Sequence, residues 1–127
     1  MNAVDLMSKA RRALESARFL LSAADPDGAC NRAYYAMFDA ARAALLVSAA
    51  GVPAEVAKTH GGLIAAFSLH LVKTGRFPVE MGRSLNKVED LRLIADYKGD
   101  SLEQADAAWA VGQATIFVET VAQVFEV

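Results

Sequence analysis

One stretch limits the possible folds of this chain more than any other. From Pro26 to about Ala50 the sequence reads as one helix that is apolar over most of its girth. Tyr34, Met37, Phe38, Ala41, Leu45 and Leu46 fill one side. The polar residues Arg32, Tyr35, Asp39 and Arg42 form a narrow stripe spaced 3, 4 and 3. A helix with so little polar surface has to be enclosed by other elements, so it takes the central place in a bundle. Asp25 is placed to cap its start, Pro26 suits the first helical position, and Gly51-Val52-Pro53 ends it.

The flanking sequence supplies the enclosing helices. Leu6, Ala10, Leu14, Ala17 and Leu21 recur at three- and four-residue steps and predict a first helix over about Ala3–Ala24. A shorter helix is predicted over Thr59–Lys73, with Leu63, Ile64, Phe67 and Leu71 inward. Another spans about Val79–Tyr97, with Met81, Leu85, Val88, Leu91 and Ala95 on one face. Ser101 followed by Gln104 fits a capping box for a last helix that runs to about Phe125 through Ala105, Ala108, Trp109, Gly112, Ile116 and Val121. Gly112 in mid-helix predicts close helix packing there. Trp109 and the phenylalanines Phe19, Phe38, Phe67, Phe117 and Phe125 read as core. Twenty-six alanines and 3 prolines in 127 residues favour helix throughout, and no strand alternation is present. The expected fold is all-α, an up-and-down helical bundle of four main helices plus one shorter helix, forming one domain over residues 1–127.

Charge narrows the function classes. The net charge is -2, which excludes a generally basic nucleic-acid binder. It is unevenly spread: residues 1–57 are neutral, residues 58–98 carry +3 and residues 99–127 carry -5. The basic middle either faces phosphates or faces the acidic last helix, within one molecule or across a dimer. The single cysteine, Cys30, allows no internal disulfide and reads as a small buried apolar residue. Asp5, Lys9, Arg11, Arg12, Glu15 and Arg18 leave no signal-peptide core, and no apolar run is long enough for a membrane span, so a cytoplasmic location is expected. His60 and His70, ten residues apart, give no metal-ligand pattern, and no cofactor motif is present.

Two motifs then carry a family resemblance. The segment Asn31-Arg32-Ala33-Tyr34-Tyr35-Ala36-Met37-Phe38-Asp39-Ala40-Ala41-Arg42-Ala43-Ala44-Leu45-Leu46 resembles the second-helix signature of small stand-alone HEPN-domain proteins. Arg92-Leu93-Ile94-Ala95-Asp96-Tyr97 is similar to their Arg-x-x-Ala-Asp-Tyr segment, and Lys58-Thr59-His60-Gly61-Gly62-Leu63 with Phe67 matches the stretch between. The resemblance implies a helical bundle that homodimerises. It also implies a minimal nucleotidyltransferase as partner, in a pair of toxin–antitoxin type. Active members are metal-independent ribonucleases whose signature is Arg, four to six intervening residues, then His, the two acting together on the scissile phosphate. Here Arg92 matches the Arg, Tyr97 stands five residues on where many members have His, and no His follows His70. Tyrosine has a reference pKa near 10 and is a poor general base at neutral pH.

The candidate catalytic residues are therefore Arg92, Asp96 and Tyr97. The candidate phosphate- or ligand-binding residues are Arg32, Asp39 and His60. Each has a plainer reading. Glu89, Arg92 and Asp96 share one helix face and read as surface ion pairs. Tyr97 reads as a residue covering the end of the bundle, or as an acceptor for the partner transferase. The stripe Arg32, Tyr35, Asp39, Arg42 reads as a dimer seam or a solvated face, and His60 as a capping or surface residue. The expected role is a binding and regulatory module in which the catalytic His is replaced. The alternatives are a metal-independent RNase toxin with its site at a dimer cleft, and a nucleotide-binding module.

Overall fold

A computed structural model describes residues 1–99 and 101–127. Among them six helices run in the order α1 (Ala3–Ser22), α2 (Pro26–Val47), α3 (Ala54–Lys58), α4 (His60–Phe67), α5 (Val79–Tyr97) and α6 (Gln104–Phe125). α4 continues into a wide π turn, Ser68–Val72, closed by Lys73 N–H donating to the Ser68 carbonyl at 2.8 Å. The five-residue α3 was not expected from the sequence.

The ends follow local chemistry. Asn2 Oδ1 accepts from Asp5 N–H at 2.8 Å and starts α1. Asp25 Oδ1 accepts from Gly28 N–H at 3.0 Å, with Pro26 at the first position, as the sequence predicts for α2. α2 ends at Val47, three residues earlier than expected, because Ala49 and then Gly51 turn into the left-handed region. Thr59 Oγ1 accepts from Gly62 N–H at 3.1 Å and starts α4. The expected capping box on α6 does not form. Glu103 is the N-cap, with no side-chain cap bond, and Gln104 Nε2 instead donates to the Leu21 carbonyl at 2.7 Å.

α2 is the central helix: it packs against α1, α4, α5 and α6. Thirteen of its residues are buried, among them seven alanines. Small side chains on α2 and on α1 (Ala10, Ala13, Ala17) let neighbouring backbones approach closely. Pairs such as Arg11 with Val127, Arg18 with Thr115 and Gln104 with Leu21 show that α1 and α6 run antiparallel. Leu102 N–H donates to Asp27 Oδ1 at 2.8 Å and fixes the start of α6 to the start of α2. At the other end Phe67 stacks on Phe77 at 5.6 Å and meets Phe117 at 5.1 Å, while Phe77 meets Phe125 edge-on at 5.7 Å.

Three core expectations are corrected. Phe19 is 71% exposed and Trp109 42% exposed. Gly112 has no neighbour within 4 Å of an added Cβ, so it marks no close packing. Trp109, Gly112 and Ile116 lie together on the outer face of α6. That helix is apolar on nearly every side, so periodicity could not separate its inner from its outer face. Among the described residues no ion pair within 4.0 Å joins the basic middle to α6.

Candidate functional site

The sequence-predicted residues assemble on α2 and α5, with one contribution from α4. Arg92 occupies the inner side of α5 and is 4% exposed, not a surface residue. Its Nε and Nη2 donate to the two Glu89 oxygens at 3.0 and 3.1 Å, and Nη1 donates to Asp96 Oδ2 at 3.1 Å. The guanidinium lies over the Tyr34 ring at 4.9 Å and within 5.7 Å of the Tyr35 ring centre. Burial works against the charged form. The Glu89 hydrogen bonds and charge outweigh it and push Arg92 above its ordinary range, with smaller support from Tyr35 and Tyr97.

Asp96 is shared. Its Oδ2 also accepts from Asn31 Nδ2 at 3.2 Å, and Asn31 Oδ1 accepts from Arg32 Nε at 3.2 Å. A continuous polar chain thus runs Arg92–Asp96–Asn31–Arg32 across the α2–α5 groove. Arg32 then lies over the outer side of this group, 5.1 Å from the Tyr35 ring centre. Cys30, one position before Asn31, is buried beside it. Burial, then the negative charges of Asp96 and Asp27, push its thiol up to about 12.

His60, at the first position of α4, reaches the same group from the other side. The Tyr34 hydroxyl and His60 Nδ1 are 2.7 Å apart. Burial and the Glu89 charge push the Tyr34 phenol upward, so it keeps its proton. The phenol and the imidazole nitrogen share one hydrogen bond, whose direction follows the His60 tautomer. The His60 ring packs 5.9 Å from Tyr35 and 5.3 Å from Phe38. His60 is therefore bonded within the cluster and is not a free surface residue. Tyr97 is at the rim, 73% exposed.

Asp39 stands apart from this chain of bonds, further along α2. It is 5% exposed at the floor of a cleft between α1 and α2, with Arg42 Nη1 at 3.9 Å. Burial raises its carboxyl, against the opposing pull of Lys9, Arg42 and Arg32. Arg32 touches both places: it lines the Asp39 cleft and ends the Arg92 chain.

The structure thus brings together Arg92, Asp96, Arg32 and His60, with Tyr97 at the rim, and sets Asp39 in a second, adjoining cleft. Sequence reasoning did not single out Asn31, Tyr34, Lys9 or Arg12 as members of these sites. For Lys9 and Arg12 a signal was present, since they lie three residues apart on the outer side of α1. Tyr34 gave none, because it reads as a core residue and its hydroxyl partner is 26 residues away.

Residues 3–124 match the HEPN domain family model. The chain belongs to the HEPN domain family. It is similar to a UPF0332 protein of Gloeobacter violaceus, 38% identical over 117 residues, covering 91% of this chain and 89% of the relative. It is also similar to a Methanocaldococcus jannaschii protein named "Putative toxin MJ0605", 32% identical over 91% of this chain and 83% of the relative. A further relative from that organism, bearing the corresponding name MJ0142, is 28% identical over 89% of this chain and 74% of its own length.

Proposed function

We propose that this chain is the HEPN component of a toxin–antitoxin-type pair with a minimal nucleotidyltransferase, and that it acts by binding rather than by cutting RNA. The observation that carries this reading is the condition of Arg92. A catalytic arginine has to present donors to a phosphate. Here three of the five guanidinium N–H groups, one on each nitrogen, already donate to carboxylates, one face lies on Tyr34, and the side chain is buried, so little of the group is left to meet a phosphate. Tyr97 supplies no group that takes a proton at neutral pH. The toxin names of the two archaeal relatives support the pair type. In this reading the module is a homodimer, and Asp96 and Tyr97 line the surface offered to the transferase.

A second reading, a metal-independent RNase, is favoured by one feature. Arg92 and His60 both pack within 6 Å of the Tyr35 ring centre, at 5.7 and 5.9 Å. His60 would then stand in for the missing imidazole, beside Arg92 and Asp96. One assay separates the two. Purified wild-type protein, without metal, is incubated with RNA alone and together with the transferase encoded beside it. The expected result is a stable complex and no cleavage above background. Cleavage by the wild type that is lost in His60→Ala would overturn the binding reading in favour of the second.

A further inference from the structure

A separate pocket lies where α2 ends. After Val47 the chain turns at Ala49 and Gly51, with φ of 55° and 72°, and α3 then shares a pocket with the last turns of α2. Leu45 and Leu46 of α2, with Val52 and Ala57 of the following segment, form aliphatic walls around about 280 Å³ of space. Leu46 is 56% exposed, more than any other leucine among the described residues, so over half of that wall residue is left to solvent. Two cations line the pocket, Arg42 from α2 and Lys58 from the end of α3, and among the described residues no carboxylate does. Arg42 Nη1 is 3.9 Å from Asp39 Oδ1 in the adjoining cleft, and its guanidinium lies on the Phe38 ring at 5.9 Å. Lys58 has no carboxylate within 4.0 Å among the described residues. One positive charge is thus left unanswered. The last carbonyls of α2 are occupied: those of Ala44, Leu45 and Leu46 accept from Ser48 N–H, Ser48 Oγ and Ala49 N–H.

We propose that this pocket binds a medium-chain fatty carboxylate, its tail between the aliphatic walls and its carboxylate on Lys58 and Arg42. Three observations fix the class. The first is size. The space holds about nine non-hydrogen atoms at about 30 Å³ each, the share of a water in the liquid, which is a carboxyl group with a tail of six or seven carbons. The second is the character of the walls. Apart from the two cations every lining side chain is apolar, so the tail is held by its removal from water and by no directional contact. The third is charge. One unanswered positive charge is met by one carboxylate, through charge-assisted hydrogen bonds from the ammonium and the guanidinium. A phosphate monoester brings up to two negative charges, and an ammonium head is repelled. An alcohol head finds the carbonyls of the last α2 turn already accepting. The pocket uses none of Arg92, Asp96, Tyr97 and His60. Its occupancy is therefore independent of the proposed function.

The test is calorimetric titration of the purified protein with sodium octanoate, butanoate, 1-octanol and octyl phosphate, each below its micellar concentration. Butanoate keeps the head and shortens the tail, octanol keeps the tail and removes the charge, and octyl phosphate stands for a lipid headgroup. Lys58→Ala removes an exposed cation and is expected to leave the melting temperature unchanged. Lys73→Ala, exposed beyond α4 and outside the pocket, controls for overall charge. Ala57→Trp fills the space between the walls. The expected result is saturable octanoate binding at least tenfold tighter than butanoate or octanol, weakened at least fivefold by Lys58→Ala, lost in Ala57→Trp and unaffected by Lys73→Ala. If Ala57→Trp does not fold, the Lys58→Ala and butanoate arms decide alone. Absence of octanoate binding, equal affinity for octanoate and butanoate or octanol, an equal loss in Lys73→Ala, or tighter binding of octyl phosphate would overturn the proposal.

Discussion

Arg92 and Glu89 illustrate how a charged pair acts once it leaves the surface. An exposed i, i+3 pair on a helix adds about 0.2–0.5 kcal/mol. The same spacing here is bidentate and buried, and removing one partner strands a carboxylate out of water. Arg92→Ala should therefore lower stability by about 3 kcal/mol or more in urea unfolding, while Glu89→Gln with Arg92→Met should recover much of that loss. Asp39 gives a pH prediction. Its carboxyl is raised by burial, so the folded chain holds this proton to higher pH than the unfolded chain does. The group's contribution is thus most favourable below the unfolded carboxylate pKa, about 3.9, and declines as pH rises through the folded value. Asp39→Asn should match the wild type at acid pH and melt at a higher temperature near neutrality; an equal or lower neutral melting point would refute that. Cys30 is held as the thiol, pushed up to about 12. At pH 8 it should resist thiol reagents in the native protein and react at once after denaturation.

At the level of elements, periodicity made α1, α4 and α5 legible through one apolar face each, and α2 through its narrow polar stripe, each with a recognisable stop. The buried faces of α1 and α5 hold the residues that the spacing predicted, from Leu6 to Ala17 and from Met81 to Leu91. α6 failed for a physical reason. Its outer face carries Ala105, Ala108, Trp109 and Ile116 beside Glu119 and Gln123, too many apolar residues for periodicity alone to separate it from the inner face, and the contacts of α1 and α2 choose between them. The candidate site was half legible. Its residues were visible as motifs, but the burial of Arg92 and the Tyr34–His60 bond depend on how separate helices meet. Two substitutions check the revised view of α6. Gly112→Ala meets open space and should stabilise by about 0.5–1 kcal/mol. Ser101→Ala should be neutral, because no α6 cap bond involves that hydroxyl. A loss near 1 kcal/mol on replacing Ser101 would restore the capping box.

For the whole molecule, the outer face of α6 leaves Trp109 and Ile116 exposed. Among the described residues no helix is long and apolar enough to cross a membrane. Trp109, the single tryptophan, reports on that face directly. If the proposed homodimer forms, and forms through α6, the Trp109 emission should shift to the blue as protein concentration rises, in step with the mass measured by sedimentation. If dimerisation uses another face, the mass should double while the emission stays that of a solvated indole.

The bonding of α6 to α1 and α2 also bears on how the chain is made. Phe117 and Phe125 complete the aromatic end of the core around Phe67 and Phe77, and they belong to α6, which is synthesised after the helices it packs on. Domains generally fold as units during synthesis. While α6 is still inside the ribosome, the emerged helices lack one wall, and the inner faces of α1 and α2 remain open to solvent. The nascent chain is then a client for any apolar-binding factor, and it loses that character only once α6 has emerged and docked.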